Sequence, residues 1–398
     1  LVQLWLLEVL KGIGRFFLNP VAYYLVILAG ILGVRRVKRE RKNFNIRAYD
    51  AYFELRQLIQ MPGLLAGLVL SIIIFAVGIT VPFAAILLIA LFTFLWSLTT
   101  NVRLMGPVYT VGAAFIAILL IVQGNLSLPI FKNIFHSMDE RVYPSLAVLM
   151  GLLIIAEGYL ILKNGSHGTS PKLIKSKRGR RVGVHEVKRL WLLPVLMLVP
   201  GNAVHLPFSW WPVFHLGAEN YYLFFVPFGV GFQQRIQGML PKQAVQAFGK
   251  KILVLGTIIL AGSIAGYWYP LASIIATVLA IFGHEGLAYL QKVREDGMPF
   301  YFSRKNNGLM ILGIIPDSPA SKMDLKVGEL ITKVNSRLVS DEKDFYEALQ
   351  INRAHCRLEV FDTNGEVRFE QRALYEGDHY ELGILFVQDE RNDGAKIG

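Results

Sequence analysis

The residues that most resemble working chemistry are Gly283-His284-Glu285-Gly286-Leu287-Ala288, which begin like a zinc-hydrolase motif. In that motif two histidines four apart share one helix face and ligate the metal, while the glutamate between them activates water. Here the second histidine position holds Ala288, and the next acid, Asp296 before Gly297, falls outside the apolar run. One imidazole does not hold a catalytic zinc, which takes three protein ligands. Glu157 and His205 are the other ionisable groups set in apolar sequence. Such groups default to function because burying charge in lipid is costly. Glu157 can equally pair with a facing helix or snorkel, and His205 can line a polar cleft or sit near an interface. Cys356 is the single cysteine, which excludes an intrachain disulfide. Beside Arg357 and without a base motif, it reads as a packed strand residue. No Gly-x-Ser-x-Gly and no phosphate loop accompanies these groups, so the expectation is no catalytic residue, no metal and no cofactor.

The elements that carry these residues are mostly of membrane length. Hydrophobic residues make up 54% of the 398, even without glycine, against about 45–50% in soluble domains with glycine counted. Mean hydropathy is +0.44. The apolar runs are continuous, as in residues 64–79 and 81–98, each near the roughly 20 residues that cross about 30 Å of hydrocarbon. The expected fold class is a polytopic α-helical membrane bundle of about nine spans plus an N-terminal amphipathic segment, followed by a small α+β domain. Residues 1–18, apolar but carrying Glu8, Lys11 and Arg15, read as an amphipathic interfacial helix or a weak first span. They lack the small-residue cleavage site of a secretory signal. The chain opens on Leu1 and not on methionine, which points to an alternative start codon or a trimmed end.

Residues 19–296 form the expected membrane domain, with spans at about 20–34, 62–79, 81–98, 104–123, 143–162, 190–210, 214–231, 252–268 and 270–290. The pair within 190–231 is interrupted by Pro194, Pro200, Gly201, Asn202 and Pro207, and reads as two broken spans. Trp210 and Trp211 stand where an interfacial belt would be. The connections at 35–60, 163–189 and 232–251 hold eight, nine and four basic residues, and Arg103 adds one in the short connection after residue 98. The connection at 124–142 holds two basic residues and two acidic ones. Positive residues mark the cytoplasmic side, and the span count then places the C-terminal module on that side. The 163–189 connection, rich in Gly and Ser, is expected to be a flexible loop. The net charge of +12 divides into +16 before Met298 and −4 after it. The excess therefore marks topology, not nucleic-acid binding.

From residue 297 the pattern changes to short strands and a helix. Asn307-Gly308 signals a turn, residues 309–315 a strand, and Ser318-Pro319-Ala320 a helix start. Residues 326–335 give a turn and a second strand, residues 340–350 an amphipathic helix N-capped by Ser340, and Thr363-Asn364-Gly365 a hairpin. Residues 382–387 make a last strand. The run Gly308-Leu309-Met310-Ile311-Leu312-Gly313-Ile314-Ile315-Pro316-Asp317-Ser318-Pro319-Ala320, followed by Gly328-Glu329-Leu330-Ile331 and Val334-Asn335, resembles a bacterial PDZ domain over about residues 297–390, leaving 391–398 as a tail. Ser336 stands where that family usually has glycine. A PDZ groove takes an extended peptide as an added strand. The resemblance places it on Gly308, Leu309, Met310, Ile311 and Leu312, faced by Phe345 and Leu349. Glu381-Leu382-Gly383-Ile384 replaces the usual carboxylate loop from the far end of the module, as in a permuted arrangement.

Over its whole length the chain resembles the MinJ-like membrane proteins of the Min division-site system in Gram-positive rods. The resemblance rests on Phe17-Leu18-Asn19-Pro20, on Arg36-Val37-Lys38-Arg39-Glu40-Arg41-Lys42, on Gly283-His284-Glu285 and on the PDZ run. It implies a multi-pass membrane scaffold, not an enzyme, enriched at septa and poles with a cytoplasmic PDZ domain. Its implied partners are a DivIVA-like curvature-sensing protein, a MinD-like ATPase, other division proteins and membrane lipid. Three alternatives stay open: a PDZ-bearing adaptor in secretion or stress signalling, an intramembrane site-2-type metalloprotease, and a transporter.

Overall fold

The computed structural model of the chain describes residues 2–44, 50–124, 139–204, 210–214, 216–217, 220–352, 355–373 and 382–387. Among the described residues, five segments are helices long and apolar enough to cross a membrane: α2 (Pro20–Phe44), α3 (Phe53–Leu58) running into α4 (Met61–Val77), α7 (Val142–Leu160) with its π-helical end, α8 (Pro241–Ile264), and α9 (Pro270–Gly297). Two shorter apolar helices, α5 (Phe83–Leu98) and α6 (Pro107–Gln123), lie among them. The centre of the bundle is α7, whose apolar window is 83% buried where the other membrane-length helices reach 28–39%. Small residues allow that enclosure. A Cβ on Gly151 would stand 2.9 Å from Leu260 Cα, and one on Gly158 would stand 2.7 Å from the Leu253 nitrogen of α8. Close backbone approach of this kind is how helices associate where lipid supplies no hydrophobic drive.

The expected spans at 190–210 and 214–231 are corrected by the structure. Their residues 190–201 and 220–231 belong to a long antiparallel hairpin of β2 (Arg181–Gly201) and β3 (Asn220–Ile236), with His185 opposite Ile236 and Gly201 opposite Asn220. Proline explains why these residues are not helical. In a helix, Pro194 and Pro200 would each remove a backbone bond and clash with the preceding turn. In the hairpin Pro194 lies opposite Pro227, so the two missing donors coincide. The flanking Val, Tyr and Phe residues suit strands. An unpaired sheet edge is not tolerated in hydrocarbon, and here neighbours cover both edges. Along β2, α4 comes so near that a Cβ on Gly67 would stand 2.6 Å from the Pro194 oxygen. Ser71 Oγ accepts from the Leu196 N–H at 2.8 Å, and the Val81 N–H donates to Leu198 O at 2.8 Å. Along β3 lies α1 (Val2–Leu18), which buries Glu8 while Lys11 stays exposed, and Arg15 donates to Leu223 O at 2.9 Å. Going out and back, the hairpin returns the chain to the end it left, as two helices would.

The 163–189 connection is also corrected, since it is ordered. Its β1 (Ser170–Lys175) pairs with residues 181–186 of β2. This hairpin tip docks on the C-terminal module, where the Gly183 N–H donates to Phe302 O at 2.8 Å. Phe44, Phe302, Leu312 and Leu385 form one buried cluster across the junction.

The module is a sheet of β4 (Leu309–Ile314), β5 (Leu330–Val334), β6 (Arg337–Leu338), β7 (His355–Phe361), β8 (Val367–Ala373) and β9 (Ile384–Phe386), with helix α10 (Glu342–Gln350). Its strand order is β8-β7-β5-β4-β9, and β6 pairs with β5. Asn335 and Ser336 both have positive φ, 47° and 69°, between the paired Val334 and Arg337. That is the two-residue type I′ turn. The N-cap of α10 is Asp341, not Ser340: Asp341 accepts from the Asp344 N–H, and Asp344 reaches back to Ser340.

Candidate functional site

Alternation along two strands divides the module's sheet between two jobs. Leu309 and Ile311 of β4, and Ile384 and Phe386 of β9, point into the module's own core with Phe345, Leu349 and Leu382. Met310, Leu312, Leu385 and Val387 point the other way, onto the membrane body. The acceptor edge expected on β4 is not free. Leu309 and Met310 pair with β5, while Ile311 to Ile314 pair with β9. Among the described residues the edge beside α10 is β9, against which the Phe345 ring packs at 5.1 Å from Phe386. Gly308, whose φ is +154°, sits tight against Ile331 on the β5 side. Leu382 and Gly383 lead into the edge strand with φ of 48° and 79°. Their carbonyls accept from the Ala320 and Ile315 N–H groups at 2.9 and 2.8 Å, which fastens the loop to the Pro316–Ala320 turn. A Cβ at Gly383 would collide with the Ser318 side chain. Glu381 lies outside the described residues.

Four ionisable residues of the membrane body, Arg103, Glu157, His284 and Glu285, gather with Tyr109 in one cluster. His284 is 2% exposed and Glu157 is 1% exposed. Tyr109 Oη meets His284 Nδ1 at 3.1 Å, and His284 Nε2 meets Glu157 Oε1 at 3.3 Å. Tyr109 donates to Glu285 at 2.7 Å, and Arg103 binds the same carboxylate. Both imidazole nitrogens are thus engaged by protein, and Glu285 is held by an arginine and a phenol. Ala288 lines the adjoining cavity. Among the described residues no three His, Cys, Asp or Glu side chains gather as a metal set. His205 lies outside the described residues. Arg103 and Tyr109 are the members that sequence reasoning missed. The available signal was Arg103, the single charge in a short apolar connection.

A second charged knot fixes the docked hairpin. Arg36 pairs with Glu40 and Glu54 at 2.8 Å each, and Arg189 pairs with the same Glu54. Arg36 also donates to Gly168 O at 2.8 Å. Of the basic block at residues 35–42, Arg36 is therefore buried structure and not surface charge. Nearby, His185 packs its ring 4.9 Å from Phe302 and meets Thr169 Oγ1 at 2.8 Å. Burial pushes its pKa down to about 4.

A body of membrane-length apolar helices, joined through a buried seam to a PDZ domain, defines the class. The PDZ domain family profile matches residues 310–361. Along its whole length the chain is similar to the cell division topological determinant MinJ of Bacillus subtilis strain 168, with 42% identity over 394 residues, 98% of each chain. The chain belongs to the MinJ family. Proteins of Lacticaseibacillus paracasei and Lacticaseibacillus casei strain BD-II, both described as probable cell division topological determinant MinJ, are each 22% identical over 387 residues, 94% of this chain and 97% of theirs. No solved structure matches the chain.

Proposed function

We propose that this protein is a membrane scaffold for division-site selection, bridging a DivIVA-like polar and septal protein to a MinD-like ATPase. The observation that carries this reading is a strand-presenting module seated on an apolar helical body, in a chain related end to end to a cell division topological determinant. Bridging needs no new chemistry. Two weak contacts on one anchored body raise effective concentration, so overall avidity exceeds either affinity. The basic connections face the cytoplasm in this reading, with the PDZ module among them. Its peptide edge is β9, with α10 as the second wall. In this reading the protein makes and breaks no bond, which is supported by His284 and Glu285, the residues nearest to a catalytic motif, spending polar atoms on Arg103, Tyr109 and Glu157.

Localisation tests the reading. A fluorescent full-length copy is expected at septa and poles, to co-purify with both partners, and to lose septal enrichment in cells lacking the DivIVA-like protein. Uniform membrane staining that ignores that deletion would count against a scaffold. A copy truncated before Gly297 that still reaches septa would move recognition from the module into the membrane body.

A further inference from the structure

We propose that the outer edge of β8 pairs with β8 of a second copy of this chain, antiparallel and centred on Phe369. Among the described residues the module's sheet ends there, with β7 as the neighbour of β8 on the inner side. An open edge is a template for another chain, and proteins blunt it with proline, a bulge or repelling charge. β8 contains no proline and runs its seven residues against β7 without a break in register. It leaves Phe369 58% and Val367 49% exposed. The Asp362 N–H donates to Glu366 O at 2.9 Å. Hydrogen-bonded and non-bonded pairs alternate along an antiparallel ladder. Arg368, Glu370 and Arg372 therefore turn their backbone groups to β7, while Val367, Phe369 and Gln371 aim theirs at the open edge.

The side chains select the partner. Glu366, Arg368, Glu370 and Arg372 alternate in sign along one face of the strand. In a two-fold pair centred on Phe369, Arg368 stands opposite Glu370 of the second copy and Glu366 opposite its Arg372, each twice by symmetry. The two Phe369 rings meet on the other face. Moving the centre one residue, to Glu370, would set Arg368 against Arg372 and Glu370 against itself, and like charges directly opposite are destabilising. Arg368 also binds Asp324 and Glu329 of its own module, so the outer pair, Glu366 with Arg372, is the cleaner one. The face fits two copies in one membrane. Met310 pairs with Leu330, Leu330 with Phe361 and Phe361 with Val367, so Phe369 shares the face that Met310 lays on the membrane body. A two-fold axis perpendicular to the sheet keeps that face common, and both bodies fall on one side. One strand pair is a small contact, and holding both copies in one bilayer raises their effective concentration. β9 stays open at the far end of each sheet, so a pair presents two peptide edges; that consequence rests on the scaffold reading, whereas the pairing itself needs no peptide.

The test is disulfide trapping of the full-length protein in membranes under a mild oxidant. Cys356 is fully buried and gives no background. Phe369→Cys places two thiols on the symmetry axis, where the Cα atoms of a bonded pair lie about 5.5 Å apart, within disulfide reach. Gln371, also exposed, faces residue 367 of the second copy, so two Gln371→Cys thiols are offset by about 14 Å along the strands. Phe369→Cys is expected to give at least tenfold more covalent dimer than Gln371→Cys. Adding Arg372→Glu to Phe369→Cys should lower the yield at least threefold, and adding Glu366→Arg to both should restore it, which damage to the fold would not do. Equal trapping at 369 and 371 would mean random collision and overturn the proposal. So would a yield indifferent to Arg372→Glu, or one that the second reversal leaves low. Trapping at 371 without trapping at 369 would overturn the register.

Discussion

Two single residues show how local environment decides reactivity and strain. Cys356 is fully buried in β7, and burial pushes its thiol up to about 12. Only the thiolate reacts, so a maleimide should leave the native protein unmodified at pH 8 and label it fully in denaturant. Native labelling within minutes would show that the module opens. Ser336 is a side-chain-bearing residue in the left-handed region, at φ 69°. That conformation costs a non-glycine residue roughly 1–2 kcal/mol, part of which glycine gives back in unfolded-state entropy. Ser336→Gly is therefore expected to stabilise the module by about 0.5–1 kcal/mol, read as a higher urea midpoint with an unchanged slope. In the sequence Ser336 stood where the PDZ family usually has glycine, which left the turn type open, and the pairing of Val334 with Arg337 settles it. Arg103 was not legible as a site residue. A charge beside a span reads as a topology marker, and nothing in its neighbours announces Glu285, 182 residues away.

At the scale of elements, hydropathy found the apolar segments and could not tell their period. A continuous apolar run is compatible with a buried strand as well as with a helix, and β2 and β3 are such runs. The prolines at 194, 200 and 227 argued against regular helices there, but proline lacks a ladder donor too, so they did not announce strands. The peptide edge was hidden for another reason. Which strand ends a sheet depends on a pairing of β4 with β9, and the two are separated by most of the module. The turn chemistry that marks each strand says nothing about that pairing. The hairpin's stability rests on groups outside it. Ser71→Ala would leave the Leu196 N–H without its acceptor, at a cost of about 1–3 kcal/mol. The measurement is thermal unfolding in detergent, where Ser71→Thr, which keeps a hydroxyl, serves as the comparison. Equal unfolding of Ser71→Ala and wild type would mean that another group satisfies the strand.

The molecule as a whole is a module seated on a body, and the seat is a testable joint. Gly183 is a close point of it: a Cβ there would collide with the Leu312 side chain and stand 2.9 Å from Phe302 Cβ. Both contacts come from residues C-terminal to α9. Gly183→Leu should therefore push the module off while leaving both parts folded, and limited proteolysis between Gly297 and Leu309 should accelerate at least tenfold. His185, one turn of the strand pleat away, gives the same joint a pH dependence. Its folded pKa lies at about 4, below the roughly 6.5 of a free histidine. The undocked form therefore binds the extra proton between those values. Docking is fully stable above about pH 6.5 and weakens by up to roughly 1.4 kcal/mol per unit as the pH falls towards 4. Wild type should accordingly become protease-sensitive at the joint as the pH drops from 7 to 5, and His185→Gln, which does not titrate, should flatten that dependence. If the wild-type cleavage rate, corrected for protease activity, stays level across this range, then His185 is not exposed when the module lifts. The seam of Phe44, Phe302, Leu312 and Leu385 would then have to open elsewhere.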